Sequence, residues 1–295
     1  MNERARERYR YRMQRVLDHI DCHLDEPLDL DRLAGVAAFS KFHFHRQFTA
    51  MFGLSVQRYV QLLRLKRASW RLAFRAGDSV TDIGLDAGYA ATESFSRAFR
   101  QQFGQAPSDF RDAPEWEFWL ATLGALTPAR TLQMTDQFDP DTIDIVDFPA
   151  TPVAVMEHRG DPARLGDTIR RFIDWRIRNG VRAATSATYT VFLTDPDAVA
   201  PEDYRIDLCA ATSRAFEDRD AGIAMGLIPA GRCAVLRVTG ASDDLRGAAM
   251  CLYRDWLPDS GEEARDFPLF AQRVCFFPDV PEHEAVTDLF LPLAG

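Results

Sequence analysis

Two stretches of the chain set side chains able to read base edges beside phenylalanines spaced for burial. In the first, Phe44, Phe48 and Phe52 recur at i, i+4 and i+8, one face of a helix, and leave Phe42, His43, His45, Arg46 and Thr49 on the others. In the second, Phe95, Phe99 and Phe103 repeat the stripe and leave Glu93, Ser94, Ser96, Arg97 and Arg100. An arginine fork matches guanine, a carboxylate accepts from the cytosine amino group, and an apolar ring meets the thymine methyl. A helix carrying these groups and laid in a major groove has the chemistry to tell base pairs apart. Ser40 and Lys41, at the start of the first helix, join this candidate DNA-contacting set. Arg46 and Arg97 fit a base edge, a phosphate, which is the commoner contact, or a partner within the chain.

The elements that must hold these helices come in duplicate. Leu33, Ala34, Ala38 and Phe39 match Ile83, Gly84, Gly88 and Tyr89 at an offset of 50, and Phe44 to Tyr59 match Phe95 to Phe110 at 51. Each copy reads as a short helix, a tight turn and a second helix ended by a glycine, Gly53 or Gly104, suited to the left-handed position. Ser40 and Thr92 are expected to cap the second helices, and Asp78 or Ser79 the short helix of copy two. Residues 56–75 carry apolar residues at helical spacing without a breaker and predict one joining helix, and residues 9–24 predict another, stopped at Glu26-Pro27. Two such units held by one helix can meet two adjacent grooves, about 34 Å apart.

Charge follows the same division. The net charge is -9, which on its face opposes binding to phosphates. By region, however, the balance is -2 for residues 1–31, +7 for 32–111, -4 for 112–140 and -10 for 141–295. A basic segment inside an acidic chain is a cue for a nucleic-acid-binding part joined to something else. The composition, 46% hydrophobic and 27% charged over 295 residues, excludes disorder and a single small module. No apolar run of membrane-spanning length and no signal-like stretch is present, so a membrane partner is not expected and a cytoplasmic location is. Five scattered cysteines form no C-x-x-C pair. His19 and His23 have helical metal-pair spacing but lack further ligands, so neither a metal nor another cofactor is expected.

Residues 113–140, with prolines at 114, 128 and 140 and an aromatic patch at Trp116, Phe118 and Trp119, read as a partly helical linker. Beyond it the chain duplicates again. Phe148-Pro149-Ala150 matches Ile228-Pro229-Ala230 at 80, and Asp174-Trp175, Gly180 and Asp207-Leu208 match Asp255-Trp256, Gly261 and Asp288-Leu289 at 81. Each copy reads as β-α-β-β, so an antiparallel sheet with helices to one side is expected, with a small-molecule groove where the halves join. The fold expected for the whole is multidomain: an all-α tandem helix-turn-helix domain (1–112), the linker (113–140) and an α+β duplicated β-α-β-β domain (141–295). In the last, Glu157 shares a strand face with Val153 and Val155, and Arg237 is its counterpart in the repeat. Together with Arg273, that arginine favours an anionic or zwitterionic ligand. Trp175 and Trp256 fit either a pocket wall or the core, and Tyr204 and Phe270 complete the candidate effector set.

The strings at 30–60 and 80–111 resemble the tandem helix-turn-helix domain of AraC/XylS transcription regulators, with the G-x-x-P-x-x-[FY]-R ending at Gly104, Pro107, Phe110 and Arg111. The resemblance implies that Phe42, His45, Arg46, Glu93, Ser94 and Arg97 lie where family members meet base edges. Residues 142–294 resemble the GyrI-like effector-binding domain of Rob-like regulators, through the two glycine-to-tryptophan helices, Tyr204 to Cys209, Ile228 to Gly231 and Trp256 to Gly261. Many such domains bind aromatic cations through a glutamate and a tyrosine in the strand after the second helix. Here Phe270-Ala271-Gln272-Arg273 has alanine and arginine instead, and cation selectivity does not carry over. The resemblance implies a regulator that binds double-stranded promoter DNA and a small-molecule effector and engages RNA polymerase, and not an enzyme. The alternatives are a C-terminal domain that hydrolyses or sequesters a toxic molecule, with Glu157 as base, or one that binds a protein.

Overall fold

Backbone capping sets the helix starts of the N-terminal half. In the computed structural model, which describes residues 3–134, 138–216, 218, 220–240, 245–277 and 279–295, the chain divides into two units between residues 137 and 138. The first unit holds α1 (Glu3–Cys22), α2 (Leu30–Val36), α3 (Lys41–Phe52), α4 (Val56–Phe74), α5 (Val80–Asp86), α6 (Thr92–Phe103), α7 (Pro107–Asp112), α8 (Trp116–Leu123) and α9 (Thr127–Met134). Asp29, Ser55 and Ser79 each accept from the amide three residues on, at 2.8, 3.3 and 3.0 Å, and so open α2, α4 and α5. Ser40 occupies the cap position of α3 without a side-chain bond. Thr92 is not a cap: Ala91 holds that position, and the Thr92 hydroxyl meets that of Thr81 at 3.0 Å. Gly53 and Gly104 close α3 and α6 at φ 76° and 75°, as their place in the repeat requires.

Two cores result, one per copy. Phe44, Phe48 and Phe52 pack with Met13, Leu17, Ile20 and Tyr59, and Phe95, Phe99 and Phe103 with Leu65, Leu72, Ile83 and Phe110. The expected linker contributes to both. Trp116 and Trp119 of α8 are buried in the second core, Leu126 and Ala129 in the first, and Leu123 packs against each. The Trp119 indole donates to Ser69 Oγ at 2.7 Å, and that hydroxyl donates to the Lys66 carbonyl at 2.6 Å. Residues 116–134 are thus a two-helix strap across the first unit, driven there by aromatic burial.

The second unit contains β1 (Asp144–Phe148), β2 (Thr151–Arg159), α10 (Leu165–Arg178), β3 (Thr188–Phe192), β4 (Arg205–Ala211), β5 (Ile223–Ile228), β6 (Gly231–Thr239), α11 (Arg246–Met250), a π-helical stretch (Cys251–Trp256), α12 (Leu257–Ser260), β7 (Phe270–Cys275) and β8 (Val286–Pro292). Its single antiparallel sheet has the order β1-β6-β8-β7-β3-β4-β2-β5. The two β-α-β-β repeats meet at β3 and β7. Each is preceded by a strand absent from the sequence reading, and these are exchanged: β1 pairs with β6 of the other repeat and β5 with β2. Their solvated residues, four of five in β1, hide the alternation that marks a half-buried strand. Helix α10 buries Phe172 and Trp175 over one face, α11 with the π-helical stretch buries Ala248 and Leu252 over the same face, and among the described residues of this unit no helix covers the other face. No helix among the described residues is long and apolar enough to cross a membrane.

The tight turns of the two helix-turn-helix copies differ in one respect. Gly88 takes φ 85° freely, whereas its counterpart Ala38 is held at φ 53°, where Cβ crowds the backbone. Ala38→Gly is expected to raise stability by about 0.5–1 kcal/mol after the added chain entropy of glycine is counted. Chemical denaturation checks this, and an unchanged or lower midpoint would contradict the strain.

Candidate functional site

Phenylalanine burial orients both candidate reading helices. With Phe44, Phe48 and Phe52 inward, α3 presents Phe42, His43, His45 and Arg46 to solvent, and Phe42 is 84% exposed, too open for a core role. Ser40 and Lys41 are exposed at its start, Lys41 paired with Asp31. Thr49 differs from expectation: it is half-buried, and its hydroxyl is enclosed without a hydrogen-bond partner among the described residues. On α6, Glu93, Ser94, Arg97 and Arg100 are exposed and Ser96 is half-buried. The Ser94 hydroxyl donates to the Ala91 carbonyl at 2.7 Å.

Most of the basic segment's charge is committed inside the unit. Arg32 pairs with Glu26 at 2.6 Å, Arg67 with Asp25 at 2.9 Å, and Arg71 with Asp78 and Asp86 at 2.7 and 2.5 Å. Arg64 donates to the carbonyls of Leu24 and Glu26 at 2.9 and 2.7 Å, Arg111 to that of Asp78 at 2.6 Å, and Arg58 to Gln61 and Gln102. Lys66 and Arg75 are engaged as well. Among the described residues, the side chains of Arg46, Arg97 and Arg100 have no hydrogen-bond or ion-pair partner. All three stand on the two reading helices.

The helix-free face of the sheet separates the candidate effector residues. Strand registers place Val155, Cys209, Tyr189, Gln272, Asp288 and Arg237 in one row and Glu157, Asp207, Val191, Phe270, Phe290 and Val235 in the next. Its centre is apolar: Phe270 stacks on Phe290 at 4.8 Å, and Phe148 packs edge-on against both. Glu157 and Phe270 belong to this face. Trp175, Tyr204, Trp256 and Arg273 do not. Trp175 is fully buried beside Phe172 under α10, Tyr204 lies in the same core, Trp256 packs with the other helical layer, and Arg273 shares the face of Ala271 in that layer. A strand reverses face at every residue, which separates Arg273 from Gln272. Sequence reading missed Tyr189, Asp207, Gln272 and Asp288. The duplication carried the signal for Tyr189, the counterpart of Phe270.

Charges on the face are paired unevenly. Arg237 grips Asp288 with two bonds of 2.7 and 2.8 Å, and Arg205 meets Glu157 at 2.9 Å. Asp207, opposite Glu157, has its carboxyl raised above the usual range by burial and then by Glu157, with Arg205 opposing. Burial also pushes the Cys209 thiol far up, leaving it inert. Among the described residues no group of three or more His, Cys, Asp or Glu is placed to hold a metal ion.

Comparison with known proteins adds two matches. A family model described as a GyrI-like small molecule binding domain matches residues 141–294, and one described as a helix-turn-helix domain matches 33–113. The "Probable transcriptional regulator YgiV" of Escherichia coli (strain K12) is 36% identical over 52% of this chain and 96% of its own length. The "Regulatory protein SoxS" of Salmonella typhimurium is 33% identical over 34% of this chain and 92% of its own. For the "Right origin-binding protein" of Escherichia coli (strain K12) the figures are 34%, 41% and 40%.

A carboxyl raised in the fold binds more protons there than in the unfolded chain, so it favours folding at low pH and loses that contribution as pH rises through the folded value. Ionised Asp207 therefore costs stability at neutral pH. Asp207→Asn is expected to raise Tm at pH 7, with the gain shrinking as pH falls through the ordinary aspartate range. A gain independent of pH, or a loss at pH 7, would contradict this origin.

Proposed function

The chain belongs to the transcriptional regulators that join an AraC-type helix-turn-helix domain to a GyrI-like small-molecule-binding domain, and from that membership we propose how it divides the work. Helices α3 and α6 enter successive major-groove segments of one duplex. A small molecule bound on the helix-free face of the second unit changes that activity. The observation that carries the first part is the set of uncommitted cations: a guanidinium already paired gains little from a phosphate, and Arg46, Arg97 and Arg100 have nothing to give up. Phe42 supplies an apolar contact for a thymine methyl, and Glu93 an acceptor for a cytosine amino group. Lys41 can exchange its exposed pair with Asp31 for a phosphate at little cost.

The effector is a molecule with an apolar body and a positive or neutral polar end. The two central rows carry three carboxylates, Glu157, Asp207 and Asp288, against Arg237; Arg205 and its register partner Arg159 stand one row further out, and Arg273 no longer counts on that side. This reverses the anionic preference drawn from sequence. The pairing of Glu157 with Arg205 favours recognition over general-base chemistry, since the arginine holds the carboxylate that hydrolysis would need free.

DNA selected from a random pool by the full-length protein provides the test, by gel shift at about 150 mM salt. Arg46→Ala and Arg97→Ala are each expected to weaken binding by about tenfold or more, the scale of one lost base or phosphate fork. Phe42→Ala is expected to relax selection in one half of the site only. Failure to select any sequence, or variants that bind like the wild type, would overturn the reading.

A further inference from the structure

The two repeats of the second unit differ at one corner where the fold makes them equivalent. In the second repeat, the Arg265 guanidinium lies over Gly231, whose missing side chain makes room for it, and donates to the Ala230 carbonyl at 2.6 Å. Beside it, Arg232 is gripped by Glu262 with bonds of 3.0 and 2.7 Å. That corner is filled by its own chain and holds a carboxylate. The repeat offsets carry Ala230, Gly231, Glu262 and Arg265 onto Ala150, Thr151, Val181 and Ala184. Where the second repeat has a long arginine and an acid, the first has alanine and valine.

The space so vacated is a cavity of about 470 Å³. Its walls include Ala150, Thr151, Ser186, Thr212, Ser213 and Arg214, and among the described residues no acidic one. Arg214 is exposed, uses one nitrogen on the Asn179 carbonyl at 3.2 Å, and lies over the Phe216 ring. A second cation stands behind the wall. Arg176 is 5% exposed and donates to the carbonyls of Val181 and Ser186 at 2.8 and 2.9 Å, both residues of the cavity wall, and to Thr188 Oγ1 at 2.6 Å. Among the described residues it has no carboxylate partner. Burial lowers its pKa to about 10, so it remains charged at neutral pH. A buried cation answered only by neutral dipoles leaves a positive field in the adjoining space.

We infer that this cavity is a second ligand site, at the outer end of the helix-free face beyond its aromatic centre, that takes the anionic oxygen group of a small phosphorylated or carboxylated molecule. Arg214 forks to the anion, Ser213 donates its hydroxyl, and Arg176 contributes its charge through the wall. The second repeat cannot share this property, because Arg265 fills the equivalent space and Glu262 answers the nearby cation.

Calorimetric titration of the full-length protein at low ionic strength, with inorganic phosphate and separately with propionate, tests this against chloride of matched strength. Saturable binding of at least one of the two anions is expected. Arg214→Ala, a surface change whose folding circular dichroism confirms, is expected to weaken it at least tenfold. The double variant Thr151→Gly/Ala184→Arg, which rebuilds the filled corner of the second repeat, is expected to abolish it. Absence of saturable binding by both anions, or wild-type affinity in Arg214→Ala, would overturn the proposal, and the second result decides the matter if the double variant does not fold. DNA binding enters neither readout, so this outcome is independent of the reading given to α3 and α6.

Discussion

Helix α4 has to satisfy two cores at once, and the arrangement of the first unit depends on it. Its N-terminal half gives Tyr59, Val60, Leu62 and Leu63 to the first core, and its C-terminal half gives Leu65, Ala68 and Leu72 to the second. Neither helix-turn-helix copy is large enough to bury its phenylalanine stripe alone, so each uses half of the same rod. Arginines on its remaining surface tie down neighbouring segments: Arg64 holds the carbonyls before α2, and Arg71 bridges Asp78 ahead of α5 and Asp86 at its end. At 19 residues α4 is about 28 Å long, commensurate with the roughly 34 Å between successive major-groove faces. The separation of α3 and α6 is thereby tied to the length of α4. The α8–α9 strap reinforces it, because Leu123 touches both cores and any shear between the copies would strip apolar surface from one of them.

The same helix explains why regional net charge is a poor measure of what a nucleic acid meets. A balance of +7 over residues 32–111 suggests a broadly basic surface. In the fold, Arg64, Lys66, Arg67 and Arg71 are structural, and Lys66 is almost wholly buried. What survives is a sparse set of guanidiniums on α3 and α6, placed by the two phenylalanine stripes.

How much of this was legible beforehand depended on the period of each element. Helical stripes survive small errors, because i, i+4 and i+8 share a face whatever happens at the ends. Phe44 to Phe52 and Phe95 to Phe103 therefore orient α3 and α6 correctly from sequence, and the glycines mark their ends. Strands carry a period of two, so one residue decides the face. Arg273 accordingly lies one residue from the face the sequence suggests for it, whereas Trp175 on α10 and Tyr204 just before β4 serve the helical layer because an aromatic ring suits a core as well as a pocket wall. Exchanged edge strands were invisible for a different reason: β1 pairs with the far repeat, a long-range choice that no local pattern records.

Duplication followed by divergence gives a symmetric scaffold its direction. Positions on the helix-free face come in twins, Tyr189 with Phe270, Asp207 with Asp288, Glu157 with Arg237. Were the twins identical, an asymmetric ligand would bind equally well in two opposite orientations and could not report one signal. The exchange of Glu157 for Arg237 breaks that degeneracy. Arg237 locks Asp288 in a bidentate pair and neutralises it, whereas Glu157 repels Asp207 and leaves Arg205 to be shared between two carboxylates. One corner of the face is therefore electrostatically satisfied and the other carries surplus negative charge. The rings add to this asymmetry: Tyr189 answers Phe270, but Phe290 and Phe148 have Cys209 and Ile228 at the equivalent positions, so charge and aromatic surface together distinguish the two ends of the face.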